Sequence, residues 1–271
     1  PGKLPTKRDF GDAWEFNHEE VFFGGKGDKV HLKPQGEQPD WGPNWDEDQG
    51  AGEYPNSYFF YLPRICNHCT HPACLEACPR QAIEKREDNG IVLINEDRCR
   101  GYRFCMEACP YKKIYFNHAQ KVSQKCIFCF PRLEEGVPPA CARQCPGRLR
   151  FVGFLEDLDG PIHKLVHQWK VALPLHPEFG TEPNVYYVPP ILPASFDAEG
   201  RFSEEPRVPT EYLRYLFGPE VDQALITIDA EMERKKAGKS SELMDLLIAK
   251  DWKSLFNITD VQVYSESDAK T

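Results

Sequence analysis

Eleven cysteines lie between Cys66 and Cys145, and none lies elsewhere in the 271 residues. They form three groups, each closing on Cys-Pro. The first is Cys66-x2-Cys69-x4-Cys74-x3-Cys78-Pro79, the second Cys99-x5-Cys105-x3-Cys109-Pro110, and the third Cys126-x2-Cys129-x11-Cys141-x3-Cys145-Pro146. A disulfide framework would spread through a small secreted chain, and an odd count leaves one thiol over. Here all but Cys99 have another cysteine two to four residues further along or back, a spacing that gathers thiolates around shared metal rather than pairing them.

The nearest metal-binding pattern is the two-cluster C-x2-C-x2-C-x3-C-P, in which three thiolates hold one cubane and the fourth reaches to its neighbour. Iron in a sulfide cluster is soft and takes thiolate donors. Laid on that pattern, the second group has Tyr102 where a cysteine is expected. Three thiolates suit a [3Fe-4S] centre, with a phenolate-bound fourth iron as the alternative. Crossover between groups one and two then assigns a [4Fe-4S] cluster to Cys66, Cys69, Cys74 and Cys109, and the [3Fe-4S] cluster to Cys78, Cys99 and Cys105. Cys126, Cys129 and Cys141 are expected to hold a third cluster, a [4Fe-4S], and Cys145 to ligate a fourth, also [4Fe-4S]. Those two sites lack four thiolates, which one more cysteine motif in sequence before Pro1 would supply. The competing reading of the third group alone is a structural all-cysteine zinc site.

The formal charge is −9, but 15 of the 33 Lys and Arg and only 9 of the 42 Asp and Glu lie between 61 and 150. A basic island inside an acidic chain points to nucleic acid or to compensation of something anionic within. Thiolate-bound clusters are anionic, so internal compensation is the expected role. No nucleic-acid partner is expected. No apolar run approaches the roughly 18 residues of a membrane span, and no apolar signal segment follows Pro1. His68 and His71 inside group one are candidates for hydrogen bonding or packing beside a cluster, with ligation as the alternative. His163 and His167, four apart, carry no accompanying ligand motif, and they, like His118 and His176, read as ordinary histidines. No phosphate loop or hydrolase nucleophile motif is present, so no catalytic residue is expected.

Residues 1–60 are rich in Gly, Pro, Asp and aromatics without helical or strand period, and read as a loop insertion touching a partner. Residues 61–155 repeat a rhythm of cysteine group, short helix and hairpin. The first hairpin is expected as Ile83–Arg86 with Ile91–Ile94 around Asn89-Gly90. The second is expected as Lys113–Phe116 with Gln120–Ser123. From 156 the chain is a Pro-rich strap, suited to a partner surface or a linker. Packing or docking helices follow at 210–217, 221–236 and 241–250. The fold class expected is α+β: tandem bacterial-ferredoxin-like cluster domains with a loop insertion and a helical C-terminal docking extension.

The run Arg98-Cys99-Arg100-Gly101-Tyr102-Arg103-Phe104-Cys105, with Cys109-Pro110-Tyr111-Lys112-Lys113 and Lys125-Cys126-Ile127-Phe128-Cys129, resembles the iron-sulfur beta subunits of the nitrate reductase-like molybdenum enzymes. Ala172–Leu175 and Gly180–Pro190 carry the same likeness. The resemblance implies a non-catalytic electron-transfer subunit with three [4Fe-4S] clusters and one [3Fe-4S]. It also implies a catalytic alpha subunit with bis-pterin-guanine-dinucleotide molybdenum and a haem b gamma subunit. Fifteen thiolates are then needed, the eleven present plus the four inferred to be missing. Respiratory nitrate reductases resemble one another in having Trp at the position of Tyr102. The tyrosine is similar instead to relatives that oxidise ethylbenzene, sterol side chains or dimethyl sulfide, or reduce selenate or chlorate. That branch implies anaerobic respiration and a periplasmic location by co-export with the alpha subunit, with the cytoplasmic side of the inner membrane as the alternative. Rival readings are an iron-sulfur subunit of a formate dehydrogenase or hydrogenase-type complex and, from another class, a zinc-stabilised binding module.

Overall fold

Closely spaced cysteines leave little chain for long regular elements. The computed structural model, which describes residues 48–191 and 193–250, is accordingly assembled from short pieces of both helix and strand. Among the described residues the strands pair only as antiparallel two-stranded ribbons. Strands β1 (Asp48–Ala51) and β2 (Tyr58–Tyr61) form the first ribbon. Helix α1 (Ala73–Glu76) is followed by β3 (Ile83–Lys85) and β4 (Val92–Ile94), and helix α2 (Phe104–Ala108) by β5 (Ile114–Asn117) and β6 (Val122–Lys125), after which come the short helices α3 (Phe130–Glu134), α4 (Ala140–Arg143) and α5 (Pro161–His163). The same order of helix then hairpin therefore occurs twice, with α1 against α2 and β4 against β6.

The first of these hairpins pairs Ile83 with Ile94 and Lys85 with Val92. Its turn carries Gly90 at φ +69 and an Asn89 side chain that accepts the Ile91 N–H. The second differs from the expected pairing, with Ile114 opposite Lys125 and Asn117 opposite Val122. The Asn117 side-chain oxygen accepts from both Ala119 and Gln120, which lengthens the turn. Strand β6 thus starts two residues later than the pattern implied.

Two apolar cores result. Ile83, Val92, Met106 and Ile114 form a small one beneath the two hairpins, with Cys74, Cys78 and Cys109 packed on its edge. The larger one joins Leu173 and Leu175 of the extended segment to the inner faces of α6 (Thr210–Phe217), α7 (Val221–Lys236) and α8 (Glu242–Leu247), and also takes in Phe60 and Tyr111. Helix α6 stops at Gly218, whose φ of +79 and close approach to Pro177 (a Cβ would lie 2.8 Å from its Cγ) admit only glycine. Helix α7 has Asp222 in its first turn and Arg234, Lys235 and Lys236 in its last, matching the helix dipole. Helix α8 starts where the buried Ser241 hydroxyl accepts the Met244 N–H and donates to Glu231.

Three expectations need correction. The expected third helix, 241–250, spans Glu242–Leu247, because Ser241 is its cap and Ala249 lies in the left-handed region at φ 51. The loop segment 1–60 ends in the β1–β2 ribbon, whose alternation is confined to Tyr58–Tyr61 and too short to register as a pattern. Its residues 1–47, like any cluster motif before Pro1, fall outside the described residues. The Pro-rich strap lies on its own chain: Thr70 N–H donates to the Glu182 carbonyl at 2.8 Å, His71 N–H to that of Thr181 at 3.0 Å, and Asn184 N–H to that of Asn67 at 2.9 Å. Of the packing and docking roles expected for the helices, the structure shows packing: they bury their inner faces in this chain's larger core.

Leu216 is 1% exposed in that core, so Leu216→Ala is expected to destabilise the fold by about 2–5 kcal/mol. Ile226, 62% exposed on α7, is the control, with Ile226→Ala changing stability by less than about 0.5 kcal/mol. Denaturant unfolding of both variants checks the pair.

Candidate metal centres

Group one is presented by irregular backbone held in place from outside. His68 has φ 43, a left-handed conformation that a non-glycine keeps only where its surroundings fix it. The strap fixes it through the three backbone bonds to residues 181–184, and the Asn184 amide also donates to the His68 carbonyl at 2.9 Å. Around this loop the side chains of Cys66, Cys69, Cys74 and Cys109 line one cavity, together with His68 and Lys113. Cys109 belongs to the second group in sequence. It reaches the first group's cavity because α2 ends at Ala108 and Cys109 turns extended (φ −70, ψ 110) into Pro110.

These cysteines are half-buried. Burial pushes Cys74 up to about 12, reinforced by the neighbouring charges of Cys109 and Cys66 and opposed by Lys125. Cys69 is pushed up to about 11 by burial, while a hydrogen bond from the Thr181 hydroxyl pulls it back. Cys109 is raised by burial against backbone N–H donation from Lys113 and Tyr111. Thr181 is itself held by the Tyr111 hydroxyl at 2.8 Å. Thiols gathered where burial raises Cys69, Cys74 and Cys109 suit a metal centre, which delocalises thiolate charge.

The structure also brings Cys105 beside Cys78 and Cys99. Burial raises the Cys105 thiol, a Ser123 hydrogen bond lowers it, and the other two sulfurs raise it further. Tyr102 is 57% exposed and leans toward Phe104, with centroids 6.5 Å apart. Just before it, Gly101 (φ +68) passes so close to the β5–β6 turn that a Cβ would lie 2.7 Å from the Lys121 carbonyl oxygen. In the third group, Cys126 is exposed, and its thiol is raised by partial desolvation and the charges of Cys66 and Cys141, against the Phe128 N–H and Lys125. Cys129 precedes the helical turn Phe130–Glu134, in the left-handed region at φ 48, and Cys145 follows the turn Ala140–Arg143.

Backbone N–H groups point at sulfur in all three groups: Ala82 to Cys78 at 3.3 Å, Ser123 to Cys99 at 3.4 Å, Phe128 to Cys126 at 3.3 Å and Leu149 to Cys145 at 3.4 Å. Donors of this kind set the properties of thiolate-ligated clusters. A zinc site instead draws four ligands to about 2.3 Å from one point. Among the described residues no three His, Cys, Asp or Glu side chains converge to hold a single ion. Four thiols spread around one cavity fit an iron-sulfur cluster.

Of the basic residues, Lys113 is buried in the cavity wall, and Lys125 acts on Cys74 and Cys126. Arg64 is also buried, whereas Arg98, Arg100 and Arg103 are exposed, so compensation from within falls to a few cations. His71 stands outside the cavity and approaches Glu182 at 3.5 Å. His68 is in the cavity wall, where burial, then Lys125, hold it down to about 3. The His163 and His167 rings do meet, 5.0 Å apart, with His163 against the Leu155 carbonyl. Thr181 and Asn184 are the site residues that sequence reasoning missed. Both lie in the Gly180–Pro190 run, whose distance in sequence hid its contact with group one. Among the described residues no helix is long and apolar enough to cross a membrane.

Comparison with known proteins places residues 57–155 in the 4Fe-4S dicluster domain family. The respiratory nitrate reductase subunit beta of Haloferax mediterranei is 59% identical over 253 residues, 91% of this chain and 71% of that protein. The selenate reductase subunit beta of Thauera selenatis is 53% identical over 259 residues, 95% of this chain and 78% of that one. The dimethylsulfide dehydrogenase subunit beta of Rhodovulum sulfidophilum is 53% identical over 258 residues, with the same coverage of 95% and 78%.

Raised thiol pKa values tie stability to pH in the iron-free chain. The folded state prefers the neutral thiol, so this contribution is complete below the ordinary value of about 9 and is lost as pH climbs toward 11 and 12. With iron bound the sulfurs are already deprotonated, and no such loss is expected in that window. Thermal unfolding of iron-free and iron-loaded chain across the same pH range tests this.

Proposed function

Since the chain belongs to the iron-sulfur beta subunits that include those of nitrate reductase, selenate reductase and dimethylsulfide dehydrogenase, we propose that it serves as the electron wire of such a complex. Its catalytic partner in this reading is a molybdenum alpha subunit. A haem b gamma subunit or another acceptor takes the far end of the path. The placement of Cys109 at the cavity of Cys66, Cys69 and Cys74 carries the reading, because exchange of the last cysteine between groups is what a two-cluster ferredoxin requires.

On this reading residues 61–155 are a tandem ferredoxin-like core, preceded by a partner-contacting segment and followed by an extension that braces it. Cys66, Cys69, Cys74 and Cys109 hold one [4Fe-4S] cluster, and Cys78, Cys99 and Cys105 hold a [3Fe-4S]. Cys126, Cys129 and Cys141 serve a third cluster and Cys145 a fourth, both [4Fe-4S] and completed by thiolates from outside this sequence. The exposure of Tyr102 favours a fourth corner without a protein ligand over a phenolate bond. When bound, such clusters supply one-electron states at potentials that depend on charge, hydrogen bonds and exposure. The residues of this chain do the rest: Lys113 and Lys125 offset negative charge, backbone N–H groups and Thr181 donate to sulfur, and the strap braces the first cysteine loop. A periplasmic setting, by export together with the alpha subunit, completes the proposal.

Relatives of nearly equal identity are named for nitrate, selenate and dimethylsulfide, so the substrate belongs to the alpha subunit and not to the wire. Two measurements on the purified complex test the proposal. Metal analysis is expected to find molybdenum in a co-purifying large subunit. Electron paramagnetic resonance of the oxidised complex is expected to show a [3Fe-4S] signal that Tyr102→Cys abolishes by completing a cubane. An oxidised wild type without that signal would overturn the assignment of Tyr102.

A further inference from the structure

His68 is fixed from several sides. Its backbone is in the left-handed region, its carbonyl accepts from Asn184 at 2.9 Å, and its Nδ1 accepts the Val92 N–H at 3.0 Å. Val92 is pinned in turn by Lys125, whose ammonium donates to the Val92 carbonyl and, at 2.9 Å, to that of Cys126. With Nδ1 engaged as an acceptor, the hydrogen of the neutral ring sits on Nε2. The residue is 6% exposed, and Nε2 is sealed from solvent without a hydrogen-bond partner among the described residues. Buried donors of this kind are rarely left unpaired in native proteins.

The same ring forms part of the wall of the cavity lined by Cys66, Cys69, Cys74 and Cys109. Its other neighbour is Phe128, edge to face, with centroids 5.4 Å apart. A contact with an aromatic face is a weak substitute for a true acceptor. Sulfur of a cluster in the cavity is an anionic acceptor in reach of that wall. We infer that His68 Nε2–H donates a hydrogen bond to a sulfur of the [4Fe-4S] cluster in this cavity and so raises its reduction potential. Donation stabilises the more negative, reduced state more than the oxidised one, which is the direction in which hydrogen bonds to sulfur act. Val92 makes the donor permanent, since its N–H occupies the site where a second ring proton would go. The inference rests on the cluster assignment proposed above.

The test uses the intact complex labelled with 15N-histidine. In the wild type, pulsed electron paramagnetic resonance of the reduced cluster is expected to detect a coupled histidine nitrogen, and His68→Phe is expected to remove it. Redox titration followed by the same resonance should show the midpoint of this one cluster moving to lower potential in His68→Phe. His68→Gln, which retains an N–H near the position of Nε2, should bring it back toward the wild type. Iron content separates the two levels of the claim. A wild type without this cluster overturns the assignment, whereas a cluster present with no coupled histidine nitrogen overturns the role of His68 alone. An unchanged midpoint in a fully loaded His68→Phe complex overturns it equally. The wild-type spectrum decides the matter even where His68→Phe fails to assemble.

Discussion

Taking thiols out of water is the constraint from which most of this structure follows. Burial pushes the thiols of Cys69, Cys74 and Cys109 up, so any anionic form of them needs compensation nearby. Surface cations at a distance are screened and contribute little to that. The compensation has to come from groups that are themselves close and partly desolvated: Lys113 in the cavity wall, Lys125 across the β4–β6 seam, and N–H groups aimed at sulfur. Each must be brought to its place by some element of the fold.

The short hairpins do this work near the sulfurs. Strand β4 supplies the Val92 N–H that fixes the His68 ring, and β6 supplies Lys125 and the Ser123 N–H that reaches Cys99. Ribbons of three or four residue pairs are weak alone, and the small core beneath them contains few side chains. The larger core stands behind the cysteine domain and carries the stability that the hairpins lack. Tyr111 connects the two regions. Its ring packs in the larger core, and its hydroxyl holds Thr181, which donates to Cys69.

The strap shows why a Pro-rich segment suits this role. Extended backbone leaves N–H and C=O groups free of internal pairing, so residues 181–184 offer them to Asn67, Thr70 and His71. The irregular cysteine loop has backbone groups to satisfy and no helix or sheet of its own to satisfy them. Two segments with unmet hydrogen-bonding needs complete each other. The group-one loop thereby keeps the left-handed conformation at His68, which places its ring in the cavity wall.

Much of this was legible in advance because its cause is local. Cysteine spacing fixes how many thiolates a loop presents; Asn89-Gly90 specifies a tight turn, and apolar residues at helical spacing mark 210–217 and 221–236 whatever surrounds them. The β1–β2 ribbon and the true start of β6 were not legible, since one rests on a four-residue strand and the other on a side-chain turn at Asn117. Nor did the residue types separate His68 from His71, three positions apart in one motif. Burial separates them, and burial depends on what the strap covers. By itself, then, the sequence determined the number and spacing of the thiols, the crossed grouping proposed for them and the likeness to its family. Only the tertiary structure decided which cations, donors and remote residues meet those ligands, because contacts such as Thr181 with Cys69 span more than a hundred residues and arise only once both cores have formed.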